Sequence, residues 1–193
     1  MATEKIRVAL IYGSTREGRF CDTVAQWAAV QTKKHAGFSL QVIDPADIDI
    51  PMRLQRNCAP ELAALKTQLA DVDAFIIVTP EYNHGYPAVL KHLIDSAYGV
   101  WQAKPVGFVS YGGLSGGVRA VEQLRQVFAE VHATTVRNTV SFMNAWEQFD
   151  RDGNLHDTDR AEQSMTMMLT QLHWWATALK QARSVQSYAE IAT

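Results

Sequence analysis

Three short, almost unbroken apolar runs limit what this chain can fold into: residues 6–12, 74–78 and 106–111, each ended by a Gly, Pro or Ser signal. A strand that is apolar at nearly every position has both faces covered, so these three are expected to be central strands of a parallel sheet. Residues 38–43 alternate apolar with polar, as a strand with one more accessible face does, and residues 135–142 are expected to supply a fifth strand. Helical patterns separate them. Residues 22–35 carry Val24, Trp27 and Ala28 and stop at Lys33, Lys34 and His35 before Gly37, the charge and cap pattern of a helix end. A helix opened by Pro87 is expected to bury Val89, Leu90, Leu93 and Ile94. Another after Gly117 is expected to bury Val118, Val121, Leu124, Phe128 and Val131. The last starts near Asp159, with Glu162 placed for a capping box, and lines up Met165, Met168, Leu169, Leu172, Ala176 and Leu179. Alternation of this kind reads as an α/β three-layer sandwich, a five-stranded parallel sheet with helices on both faces.

Ligands of such sheets sit at the carboxyl ends of the strands, which directs attention to the loops after Tyr12, Val78 and Tyr111. The first reads Gly13-Ser14-Thr15-Arg16-Glu17-Gly18-Arg19-Phe20 and runs into a helix. A phosphate there would meet N–H groups of the helix start, the Ser14 and Thr15 hydroxyls, and the guanidinium of Arg16 or Arg19. It matches neither the dinucleotide GxGxxG nor the triphosphate GxxxxGK[ST] pattern, which favours a monophosphate; an ordinary βα turn with solvated arginines is the alternative. The second, Thr79-Pro80-Glu81-Tyr82-Asn83-His84-Gly85-Tyr86-Pro87, sets aromatic faces on a stiff backbone, suited to a flat heterocycle or else to simple packing of a rigid connector. The third, Tyr111-Gly112-Gly113-Leu114-Ser115-Gly116-Gly117, lacks side chains at four of seven positions. Its N–H groups are open to close approach by a ligand edge; a flexible loop is the alternative.

GSTREGRF, PEYNHGYPAVLKHLIDS and YGGLSGGVRA, in that order, resemble the NAD(P)H-dependent FMN reductase family of the flavodoxin-like fold, over roughly residues 5–180. The resemblance implies sheet order 2-1-3-4-5 and non-covalent FMN. It places the phosphate on Ser14, Arg16, Arg19 and Phe20, the isoalloxazine on Pro80, Glu81, Tyr82 and Asn83, and its other edge on Gly112, Gly113 and Ser115. The family pattern usually has Ser or Asn where Arg19 and Phe20 stand. It further implies ping-pong chemistry, in which NADPH or NADH passes hydride to the flavin and a quinone, free flavin, azo compound or oxidised metal ion takes the electrons back. A homodimer or dimer of dimers is implied as well. No side chain need act as nucleophile or metal ligand, because the cofactor carries the reaction. His84 is open to two readings, a proton donor beside the ring or a polar turn residue.

At 193 residues and a formal charge of −2 the chain is expected to be one domain over 1–193, with 184–193 a loose tail. Dispersed Lys and Arg offer no footprint for nucleic acid or an anionic membrane. The first apolar run is too short for a membrane span or signal peptide, and two cysteines without paired spacing fit a reducing, cytoplasmic setting. Asp150-Arg151-Asp152-Gly153-Asn154 has its glycine misplaced for a calcium loop and is expected to be a hairpin turn. Cys21 and Cys58 are read as structural rather than redox residues, and Trp101, Trp174 and Trp175 as either core or interface. Two other readings stay open: an FMN-binding redox sensor or electron carrier, and a phosphate-ligand module without flavin.

Overall fold

The computed structural model describes residues 4–53 and 60–191, so Cys58 lies outside the described residues. The chain runs β1 (Ile6–Tyr12), α1 (Cys21–Lys34), β2 (Phe38–Ile43), α2 (Pro60–Ala70), β3 (Ala74–Pro80), α3 (Ala88–Ser96), β4 (Pro105–Gly112), α4 (Val118–Glu130), β5 (Thr134–Thr135), β6 (Val140–Met143), α5 (Ala145–Gln148) and α6 (Asp159–Val185). All strand pairs are parallel, in the order β2-β1-β3-β4-β5, with β6 also on β4.

Alternation along each strand divides the core. Val8 and Leu10 of β1 and Ile76 and Val78 of β3 face α1 and α6, whereas Ala9, Ile11, Phe75 and Ile77 face α2, α3 and α4. Every residue of β3 is buried, which is why its sequence shows no alternation. Each fully buried Leu, Ile or Phe contributes about 1.5–3 kcal/mol from apolar burial alone. Trp101 belongs to this core, with its ring against Phe75 and Phe128 and its N–H donating to the Ile94 carbonyl at 3.1 Å. Trp174 and Trp175 lie on the outer side of α6, 64% and 40% exposed.

The expected fifth strand is two pieces. Between β5 and β6 the backbone leaves the ladder because side chains satisfy it: Arg125 donates to the Val136 carbonyl at 2.9 Å and the Arg137 carbonyl at 3.1 Å, and the Asn138 N–H donates to Gln171 Oε1 at 3.1 Å. The capping box on α6 is absent too. Thr158 makes no side-chain cap, and the Glu162 carboxylate accepts instead from Gln31 at 2.9 Å and Lys34 at 3.3 Å, tying α6 to α1. Val118, expected in the core, is exposed at the start of α4, while Val121, Leu124 and Phe128 are buried. The turn at Asp150 forms around its own carboxylate, which accepts from the N–H groups of Asp152 and Asn154. Ser184 and Val185 complete α6, and Tyr188 beyond it reaches His132 Nδ1 at 3.2 Å.

Candidate functional site

The carboxyl ends of β1, β3 and β4 converge. At β1, Gly13 donates to the Val78 carbonyl at 2.7 Å, and a Cβ on Gly13 would stand 2.6 Å from that oxygen, so only glycine lets the turn lie this close to β3. The chain then rises over Ser14 and enters α1 with no side-chain cap at Phe20, leaving the first N–H groups of the helix directed out of its end. Ser14 is fully buried and its hydroxyl lies 2.7 Å from the Tyr82 hydroxyl, while the exposed Arg16 guanidinium stacks 3.7 Å above the Tyr82 ring. The first loop is thereby joined to the second.

Arg19 is occupied differently from Arg16. Its guanidinium forks onto Asp44, just past β2, donates from Nε to Asp22 at 2.7 Å and also bonds the Ser14 carbonyl. Both partners of the Arg19–Asp44 pair are largely covered, at 10% and 17% side-chain exposure. Burial pushes the Asp44 carboxyl up, but the Arg19 guanidinium and the Ala46 N–H together hold Asp44 below the usual carboxylate range. The hydrogen bond to Asp44 raises Arg19 in turn. Arg19 braces the turn from behind; its donors are spent on the protein.

The second loop is a tight turn. Tyr82 and Gly85 exchange backbone hydrogen bonds, and both residues between them, Asn83 and His84, have positive φ, 50° and 76°, as a type I′ turn requires. Asn83 thus stands exposed at the tip. His84 faces Arg119, whose guanidinium lies 2.9 Å from Nδ1. Glu81 is turned inward at 6% side-chain exposure: its carboxylate takes Arg119 Nε at 2.6 Å, the Ser115 hydroxyl at 2.7 Å and the Arg119 N–H at 3.2 Å. A carboxylate this covered needs such partners, and those donors bind the second loop to the third. Glu81 and Ser115 are therefore a brace between loops, and the Glu81 N–H is taken as well, donating to the Tyr111 carbonyl at 3.1 Å.

The glycine loop is ordered, not slack. Gly116 and Gly117 have φ of 59° and 86°, the Gly116 N–H donates to the Gly113 carbonyl at 3.0 Å, and the Gly116 carbonyl accepts from Ser110 and Ser141 hydroxyls at 2.8 and 2.7 Å. The Asn144 N–H donates to the Gly113 carbonyl at 3.0 Å, which draws the β6–α5 corner against the loop. Gly112 and Gly113 themselves are half-buried; a Cβ on Gly112 would stand 3.3 Å from the Gly117 amide nitrogen, whereas one on Gly113 would meet only Trp146 Cη2, at 3.8 Å. Below, Cys21 and Tyr111 pack side by side; burial pushes both the thiol and the phenol above their usual ranges. Cys21 is fully buried, which fits a structural residue. Among the described residues the Tyr111 hydroxyl finds no hydrogen-bond partner.

Of the residues singled out by sequence, Ser14, Arg16, Tyr82, Asn83, Gly112 and Gly113 gather around the three loop ends. Pro80 is buried at the end of β3, Phe20 packs its ring on Tyr111 and Phe149, and Arg19, Glu81 and Ser115 are braces. Three participants were not anticipated: Asp44, Arg119 and Trp146. A buried glutamate in a loop demands a cation, and Arg119, two residues after Gly117, was the signal for it; Asp44-Pro45 marks the carboxyl end of β2 in the same way. Among the described residues no cluster of His, Cys, Asp or Glu has the arrangement of a metal site, and no helix is long and apolar enough to cross a membrane.

Comparison with known proteins identifies a family and a fold. Residues 6–147 match the family described as NADPH-dependent FMN reductase. An NAD(P)H-dependent FMN reductase of Schizosaccharomyces pombe is 35% identical over 130 residues, 63% of this chain and 64% of that protein. An NADPH:quinone oxidoreductase of Arabidopsis thaliana is 30% identical over 175 residues, 86% of this chain and 89% of that one. Among solved structures, FerB of Paracoccus denitrificans, a flavoenzyme NAD(P)H:(acceptor) oxidoreductase, superposes with a TM-score of 0.73 at 20% identity, covering 90% of this chain and 98% of that one, which shows a shared fold. The family match spans every strand of the sheet and all three loops: this chain belongs to the NADPH-dependent FMN reductase family.

Proposed function

We propose that the chain is an FMN-dependent NAD(P)H oxidoreductase working by ping-pong exchange in one pocket, with a quinone, free flavin, azo compound or oxidised metal ion as acceptor. The observation that carries this reading is the convergence of two unlike surfaces on one rim. On one side lie an exposed guanidinium and a helix start without a side-chain cap, above the buried Ser14 hydroxyl; on the other lies a backbone without side chains at Gly112 and Gly113. A phosphate monoester suits the first and the polar edge of a flat ring suits the second.

The residues fit FMN in kind. Ser14, Arg16 and the amide of Phe20 would hold the phosphate, with Arg19 holding Ser14 in place. Tyr82, Asn83 and the Pro80–Glu81 backbone would border one part of the ring, and Gly112 and Gly113 another. The cradle at Gly113, which a Cβ would narrow, accords with a ligand at this rim. When bound, FMN supplies hydride acceptance from NADPH or NADH and two-electron delivery to the acceptor. The protein's part is orientation: the Glu81–Arg119–Ser115 brace fixes the distance between the second and third loops, and backbone donors there favour negative charge on a ring edge. A homodimer in the cytoplasm completes the reading, for which the exposed Trp174 and Trp175 offer apolar contact surface.

The test is spectroscopic. Purified protein, given FMN if colourless, is expected to turn yellow and to bleach promptly when NADPH or NADH is added without oxygen. Yellow protein that does not bleach indicates a sensor or carrier; protein that ignores FMN removes the flavin reading. Within the same assay, Arg16→Ala is expected to weaken FMN binding by about 1.5–3 kcal/mol, the scale of a hydrogen bond to a charged group. Unchanged affinity places the phosphate elsewhere.

A further inference from the structure

The tip of the second loop is tied to the start of α4 through both its backbone and a side chain. Gln123 Nε2 donates to the His84 carbonyl at 2.9 Å, and Arg119 Nη1 lies 2.9 Å from His84 Nδ1. The Nε of the same guanidinium is spent on Glu81, 2.6 Å from Oε1. Arg119 follows closely on Gly117, so the exposed imidazole is held between the second loop and the third. Which atom donates is decided by chemistry. A guanidinium has N–H groups and no lone pair to offer, so His84 Nδ1 is the acceptor and carries no proton while the contact lasts. An imidazolium would set N–H against N–H and charge against charge across that contact. The proton of the neutral ring is therefore on Nε2. Among the described residues Nε2 has no hydrogen-bond partner, which leaves an ordered, unspent donor at the rim.

We infer that Arg119 is a positioning residue that holds His84 as the Nε2–H tautomer, and that His84 donates this N–H to a carbonyl oxygen of the ring that exchanges electrons with the flavin. This rests on the proposed function, which puts a flat ring at this rim. The carbonyl belongs to a quinone or to the carboxamide of the nicotinamide; both present the same lone pairs to an N–H donor. A neutral imidazole polarises such an oxygen, and on a quinone it also favours the negative charge that grows there as electrons arrive. It does not supply a proton, because losing Nε2–H from a neutral ring would leave an imidazolate. The second proton of a hydroquinone then comes from water. The backbone at Gly112 and Gly113 serves the resident ring, and the exposed imidazole serves the one that comes and goes.

Spectroscopy and kinetics on FMN-loaded protein test this separately. Nitrogen-15 correlation NMR at about pH 8, where an ordinary imidazole is neutral, with His84 assigned by its loss in His84→Gln, is expected to show the Nε2–H form alone. In Arg119→Lys, which keeps a cation for Glu81 but not the fork, a share of the Nδ1–H form is expected. Nδ1–H in wild type, or no change in Arg119→Lys, overturns the inference whatever the enzyme does. Stopped-flow absorbance then follows reduction by NADPH and reoxidation by 1,4-naphthoquinone as separate half-reactions. His84→Ala is expected to slow one of them about 10-fold, the scale of one lost hydrogen bond, and His84→Gln, whose amide replaces the donor, less than about 3-fold. Slower reoxidation puts the donor on the quinone, slower reduction on the carboxamide. If neither slows, in protein that bleaches with NADPH, the inference is overturned and the proposed function stands. An equal loss in both variants, or a fall in FMN affinity, also overturns it. Wild-type protein that does not bleach overturns both.

Discussion

Gly117→Ala is expected to destabilise the protein by about 3–5 kcal/mol, the sum of a strained left-handed backbone and overpacking, and to abolish FMN retention. Gly117 precedes α4 with φ of 86°, a conformation that costs any residue with a Cβ. Space is a second, separate obstacle. The added carbon would stand 2.8 Å from Ser110 Cβ and 2.9 Å from both the amide nitrogen and the carbonyl oxygen of Tyr111. Those are backbone and near-backbone atoms of a central strand, so nothing flexible is available to give way. Movement of β4 would in turn pull at Tyr111 and at the Glu81 N–H that donates to its carbonyl, 3.1 Å away, which opens the rim where the ring is proposed to lie. Urea unfolding followed by far-ultraviolet circular dichroism measures the first effect and FMN fluorescence titration the second. Gly113→Ala is the control, since its Cβ would meet only Trp146 and its φ is not left-handed; its stability is expected to stay within about 1 kcal/mol of wild type, as for an ordinary surface change. A Gly117→Ala protein as stable as that control would show that the third loop is soft after all.

The contrast between those two glycines also separates what was legible in the sequence from what was not. Local patterns were enough to place the loops: fully apolar strands, turn residues at their carboxyl ends and helical spacing after them put Ser14, Tyr82 and Gly113 on one rim. They were not enough to say which side chains face a ligand. Glu81 reads as a polar loop residue available to a ring, but its carboxylate is held by Ser115 and Arg119, 34 and 38 residues away. Arg19 reads as a phosphate ligand because it lies in the right loop, but its partner Asp44 is 25 residues away at the end of another strand. In both cases a long-range ion pair decides the role, and nothing in a window of ten residues encodes it. The break between β5 and β6 has the same origin, since Arg125 from α4 takes the carbonyls that a continuous strand would have offered to the ladder. Trp146 was missed for a different reason: a tryptophan in a short helix carries no periodic signal, and only the hydrogen bond from Asn144 to Gly113 brings it to the site.

The Arg19–Asp44 pair gives that distinction an energetic test. Arg19→Met keeps the length of the side chain and removes its charge, leaving the Ser14 carbonyl without that donor and Asp44 with only the Ala46 N–H, at 2.9 Å. Breaking a covered pair by deleting one partner costs about 2–4 kcal/mol here, below the range for complete burial because Asp44 retains some access to water. The loss is expected in the apoprotein, before any FMN is added, which is what a brace does and a ligand contact does not. The pH dependence has a definite sign. Asp44 is held below its ordinary value in the folded protein, so the stability it contributes is present above about pH 4, near the unfolded carboxylate value, and is lost as pH falls through the lower folded value. The gap between wild type and Arg19→Met is therefore expected to be full at neutral pH and to close in acid, where protonation removes the buried charge that the variant strands. In a double-mutant cycle, Arg19→Met combined with Asp44→Asn should cost clearly less than the two changes added, because the second relieves the orphaned carboxylate. An apoprotein of wild-type stability that has lost only its affinity for FMN would return Arg19 to the phosphate.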